Sequence, residues 1–144
     1  MRAVVQRVRE AHVEVGGEIV GRIGQGLVVL LGVGLDDDEA AVRSLARKIL
    51  RMRLFDDDRG RMHYSVDEIG GGVLAVSQFT LWAETSGGRR PSFTRAAPGE
   101  VAEPLYRAFI EEVRRAGVEV GEGRFGADMD VHLVGRGPVT LILE

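Results

Sequence analysis

Two segments of this chain are apolar on both faces of a strand, and they limit its fold more than any other feature. "GLVVLLGV" (26–33) and "GGGVLAVS" (70–77) run through Val, Leu and Ala without the alternation that a half-wetted strand would show. Both therefore belong in the middle of a sheet that is covered on each side. Between them lies the clearest helix, "DDDEAAVRSLARKILRMRLF". Asp36 to Asp38 offer a cap and favourable charge at its positive end. Val42, Leu45, Ala46, Ile49 and Met52 fall on one helical face. "EVAEPLYRAFIEEVRRAG" is a second helix, with Leu105, Phe109, Ile110 and Val113 as its apolar positions and Gly117 after its end. Pro104 is acceptable only near its first turn.

The rest is strand and turn. "AVVQRVREAHVEVGGEIVGRIGQG" reads as two strands, a Gly16-Gly17 turn and a third strand. Val13 and Val15 alternate there with His12 and Glu14. "FDDDRGRMHYSV" is a turn leading to a short strand, and "ETSGGRRPSFTRAAPGE" is a loop. Two last strands surround a Gly137-Pro138 turn. With 144 residues, a single α+β domain over 1–144 is expected: a mostly antiparallel sheet or barrel with two flanking helices.

Several classes are disfavoured. No apolar run approaches the roughly 18–20 residues of a membrane span, and "MRAVVQRV" lacks the features of a signal peptide. Cysteine is absent, which removes disulfides and thiolate chemistry. A cytoplasmic protein without a membrane association is expected. The net charge is −3, so any contact with RNA must come from a local basic patch. Lys48 is the single lysine; the other basic residues are arginines.

The second central segment ends in "SQFT". Val73, Ala75, Ser77 and Phe79 share one face, and Leu74, Val76, Gln78 and Thr80 the other. Polarity arrives on both faces at once, as expected where a strand leaves the core and opens into a cleft. The alternative is that Ser77 and Thr80 bond to neighbouring backbone while Gln78 reaches water. A nucleophile here would need a base within reach. The three histidines, His12, His63 and His132, show no pairing with an acid in catalytic order, and no Gly-x-Ser-x-Gly elbow is present. No His, Asp and Glu set has metal-ligand spacing, so neither metal nor cofactor is expected. From the residues alone, the chain is a small β-rich domain with a polar pocket.

"VSQFTL" (76–81), "RRPSF" (89–93), "GRFGADM" (123–129) and "GPVT" (137–140) together resemble the D-aminoacyl-tRNA deacylases of bacterial type. "VVQRV", "GLVVLLGV" and "DDDE" fit the same pattern, so the resemblance spans nearly the whole chain. It implies a homodimeric hydrolase that cleaves the ester between a D-amino acid and the terminal ribose of tRNA. Its pocket is then formed by Ser77, Gln78, Phe79 and Thr80, with Gly137 and Pro138 entering from the other subunit in a cis turn. Carbonyls of that turn accept from the substrate ammonium and occupy the space an L side chain needs. Selection by exclusion implies that glycyl-tRNA is also cleaved. Hydrolysis is assisted by the tRNA 2′-OH, with Gln78 and Phe79 N–H groups holding the oxyanion. Thr80 orients the substrate; its role as an acyl acceptor is the competing version. Phe125 and Met129 read either as pocket walls or as core, and Arg7 either braces the turn or is a surface arginine. Arg89 and Arg90 suit phosphate contact. Where many relatives carry Asn-Asp before the Gly-Pro pair, this chain has Gly135-Arg136. The alternative function is a non-catalytic module that binds RNA ends or amino-acid-like ligands.

Overall fold

The computed structural model describes residues 1–144. Its elements are β1 (Arg2–Val15), β2 (Glu18–Ile23), β3 (Gly26–Gly32), α1 (Glu39–Arg51), β4 (Phe55–Asp56), β5 (Met62–Tyr64), β6 (Gly72–Ser77), α2 (Gly99–Arg115), β7 (Glu119–Glu122) and β8 (Asp130–Leu143). β1 is the spine. Its first half pairs antiparallel with β3, its second half with β2, and its other edge runs antiparallel along β8.

The sheet is mixed, which corrects the expectation of a mostly antiparallel one. β3 and β6 are parallel, and so are β6 and β7. Each parallel pair is joined through a helix, α1 in the first connection and α2 in the second. A parallel neighbour demands such a crossover, because a tight turn can only reverse the chain. Two boundaries also differ. The N-terminal stretch before Gly16 is one 14-residue strand rather than two. The last two expected strands are one, β8, with Gly137-Pro138 inside it at an irregularity in its pairing with β1. β7, four residues with glycine in the middle, carries too little pattern to be read in advance.

The double-faced strands explain the two hydrophobic clusters. Leu27, Val29, Leu31, Val73 and Ala75 face the helices and pack with Val42, Ile49, Phe109 and Val113. Val28, Leu74 and Val76 point the other way and meet Val8, Ala11, Val13 and Ile23 inside the curved sheet. β2 and β7 nearly close it. A Cβ on Gly21 would lie 2.2 Å from the Glu122 carbonyl oxygen, so only glycine permits that approach. The two helices lie on one side, as expected. Asp38 caps α1 by accepting from the Ala41 N–H at 2.9 Å. In α2, which starts at Gly99, Pro104 is the sixth residue, deeper than the first turn. Tyr106 of α2 donates its hydroxyl to the Ala75 carbonyl at 2.8 Å and so ties the helix to β6.

Candidate active site

β6 ends at Ser77, and the chain turns at once into a short 3-10 turn over Phe79–Trp82. A cleft of about 570 Å³ opens beyond the C-terminal end of β6. Ligand sites collect at such ends in parallel sheets, because the connections diverge there and leave a crevice. Ser77, Gln78 and Phe79 line the cleft together with Phe125 and Met129. Phe125 and Met129 each also pack against a hydrophobic cluster. Phe93 and the segment Ala96–Gly99 at the start of α2 form another wall. Phe93 meets Phe79 edge to face at 5.0 Å. Sequence reasoning gave these wall residues no role, because the loop that carries them has no periodicity. The only signal was Phe93 inside an otherwise polar segment.

Thr80 lies exposed at the rim, and its hydroxyl accepts a hydrogen bond from the Gln78 side-chain amide. An amide donor cannot take a proton from that hydroxyl, so nothing there activates it. The two backbone donors expected for an oxyanion divide. The Gln78 N–H donates to the Leu31 carbonyl at 2.8 Å, extending the β3–β6 ladder, and is therefore spent. The Phe79 N–H opens the 3-10 turn, where a helix leaves its first N–H groups without an internal partner. No side chain caps it.

Gly137, Pro138 and Arg7 do not line this cleft. The Gly137-Pro138 peptide is cis, and both residues are exposed. Gly137 has φ 130, a region that favours glycine, and a Cβ there would meet the Val139 nitrogen at 2.8 Å. Arg7 is buried rather than a surface arginine. Its Nε donates to the Arg136 carbonyl at 3.0 Å, and one Nη donates to the Leu54 carbonyl at 2.7 Å and to Asp56 at 3.2 Å. The Arg136 carbonyl, just before the Gly-Pro pair, is thus held by the Arg7 side chain, while Gly135 offers no side chain of its own. Arg89 and Arg90 sit in an exposed loop and do not line the cleft. Trp82 packs, with the Arg2 guanidinium 4.0 Å above its ring.

His63 is exposed on β5 beside Tyr64. His12 and His132 instead come together with Glu14 across the β1–β8 ladder, which corrects the expectation that no metal-ligand set forms. The spacing was invisible because the partners are 120 residues apart in sequence. A larger groove of about 740 Å³ lies along α1. Five arginines, Arg43, Arg47, Arg51, Arg53 and Arg115, line it alongside Asp67, Glu68 and Glu112.

Comparison with known proteins fits the whole chain. The family model described as D-Tyr-tRNA(Tyr) deacylase matches residues 4–144. A "D-aminoacyl-tRNA deacylase" of Symbiobacterium thermophilum is 56% identical over 144 residues, covering 100% of this chain and 95% of the relative. One of Roseiflexus sp. is 58% identical, with 93% of its length covered. Among solved structures, the "c-Myc DNA Unwinding Element Binding Protein" superposes with a TM-score of 0.92 at 44% identity, covering 100% of this chain and 98% of that one. A "probable eukaryotic D-amino acid tRNA deacylase" shares the fold at a TM-score of 0.84 and 21% identity, covering 99% and 97%.

Proposed function

The chain belongs to the D-Tyr-tRNA(Tyr) deacylase family, and on that premise we propose how its cleft carries out the reaction. It is a hydrolase that cleaves the ester of D-aminoacyl-tRNA and frees the D-amino acid and the tRNA. The observation that supports a catalytic reading is the cleft itself: an aromatic and thioether pocket with an uncapped backbone N–H at its mouth and no general base beside it. Phe125, Met129 and Phe93 hold the terminal adenosine and the amino acid by stacking and apolar contact. Ser77 and Gln78 supply the polar lining. Water adds to the ester carbonyl, and the Phe79 N–H holds the oxyanion. When the intermediate collapses, the bond to the ribose 3′ oxygen breaks and that oxygen takes up a proton. The neighbouring 2′-OH relays it, so the substrate supplies the proton-transfer group that the protein lacks.

Chirality is read by main chain. A second copy of the protein lends its Gly137-Pro138 segment to the cleft, which no residue of 136–138 from the same chain lines. Exposed Val131 and Leu133, which share one face of β8, give a homodimer an apolar surface to bury. Backbone in that position leaves no room for an L side chain, while glycine has none to exclude. The body of the tRNA lies along the arginine groove of α1, the local basic patch that an acidic protein needs for RNA. The test is ester release from D-tyrosyl-, L-tyrosyl- and glycyl-tRNA. D-tyrosine and glycine are expected to be freed and L-tyrosine retained. Equal cleavage of both enantiomers would overturn the exclusion reading.

A further inference from the structure

His12 and His132 face each other across the β1–β8 ladder with their rings stacked, centroids 4.4 Å apart and planes within 9°. Glu14, two residues along β1 and so on the same face, reaches both. One carboxylate oxygen is 3.2 Å from His12 Nε2, and the other is 3.7 Å from His132 Nε2. The ligand atoms of all three lie within 4.8 Å of one another. The side chains are 28%, 29% and 49% exposed, so an ion can enter from solvent and the rings can turn.

We propose that His12, Glu14 and His132 form a binding site for a divalent transition metal of the zinc class. Two imidazoles and a carboxylate are a donor set that selects such ions over magnesium or calcium, which prefer oxygen alone. A tetrahedral ion with bonds of about 2.0–2.2 Å needs donors about 3.3–3.6 Å apart. The two carboxylate–imidazole distances already bracket that spacing, and only the two rings must tilt toward each other. The fourth position is left to water. The remaining histidine, His63, sits on β5 with no such partners and serves as an internal control.

The site has a structural consequence. Val131 precedes His132 on β8, points to the opposite face and lines the cleft. An ion held on the outer face is therefore a clip between β1 and β8 directly behind a wall of the pocket.

The test is zinc titrated into the metal-free full-length protein by calorimetry, with histidine-selective NMR in parallel. One zinc per chain with a dissociation constant in the micromolar range is expected. The His12 and His132 imidazole resonances should move while His63 stays still. The His132→Ala and His12→Ala variants should each weaken binding at least about tenfold, and zinc should raise the unfolding midpoint of the parent protein but not of these variants. The proposal is overturned by no binding up to about millimolar zinc, by binding that survives both substitutions, or by a response confined to His63. The NMR arm uses the unaltered protein, so a variant that fails to fold does not blunt it.

Discussion

At Thr80 the hydroxyl faces an amide donor, and at Gln78 the backbone N–H is tied into the sheet. Both facts favour the proposed chemistry of the Phe79 N–H and the substrate over one run by side chains. Thr80→Ala should therefore slow single-turnover deacylation by less than about 10-fold, since loss of a nucleophile costs several orders of magnitude more. The same assay on tRNA ending in 2′-deoxyadenosine should lose most of its rate. A dead Thr80→Ala variant, together with a parent enzyme that still acts on the deoxy substrate, would restore the threonine nucleophile. Arg7 makes a second residue-scale case. Replacing it with Met strands two carbonyls and the Asp56 carboxylate around a buried site. Urea unfolding should show a loss of about 2–4 kcal/mol. The surviving enzyme should also discriminate less sharply between D- and L-tyrosyl-tRNA, because the carbonyl before Gly137 is no longer fixed.

At the level of elements, what could be read in advance was whatever had a period or a local cap. Both helices, the Asp38 cap, the apolar faces and the end of β6 at "SQFT" follow from side-chain patterning within a few residues. Strand pairing did not, because parallel and antiparallel partners differ in connection and not in pattern. The clue lay in the helices separating β3 from β6 and β6 from β7. The cleft was half legible for the same reason: Ser77 to Phe79 sit on a patterned strand end, whereas Phe93 and Ala96–Gly99 arrive from a loop. Tyr106 shows how such elements are coupled. Burial, and then the Glu122 carboxylate, push its hydroxyl up from the ordinary value of 10.0. Above about pH 10 the unfolded chain sheds the phenolic proton and the folded one retains it. The stability this group contributes is therefore complete below pH 10 and falls as the pH rises past it. Tyr106→Phe should cost about 1 kcal/mol at neutral pH, since the Ala75 carbonyl then keeps only the Gly123 N–H as a donor. Its alkaline decline should also be shallower than that of the parent, as denaturant titrations at successive pH values would reveal.

For the molecule as a whole, the question is how a chain of net charge −3 engages a polyanion. Charge here is distributed by element. Arg43, Arg47 and Arg51 recur every four residues along α1, one above the next on its exposed side, with Lys48 beside them. Arg43 and Arg115 hold acidic partners, Glu39 at 3.6 Å and Glu112 at 3.0 Å, while Arg47, Lys48 and Arg51 take part in no ion pair. The helix follows β3, and Val33 just past that strand's end borders the cleft, so the proposed RNA path runs from the pocket onto this stripe. Each phosphate neutralised releases condensed counterions, which makes affinity fall with salt in proportion to the number of contacts. Replacing Arg47 and Arg51 together with Ala should raise KM for D-aminoacyl-tRNA about 10-fold at low salt. It should also flatten the slope of log affinity against log salt by about 1.5. The rate at saturation and the ratio of D to L cleavage should stay as they are, because neither residue lines the cleft. Release measured from a minimal aminoacylated acceptor end should be indifferent to both substitutions, since that fragment is too short to reach the far half of the helix. An unchanged salt slope with intact tRNA would move the RNA path off α1 and toward the Arg89-Arg90 loop, leaving the chemistry of the cleft untouched.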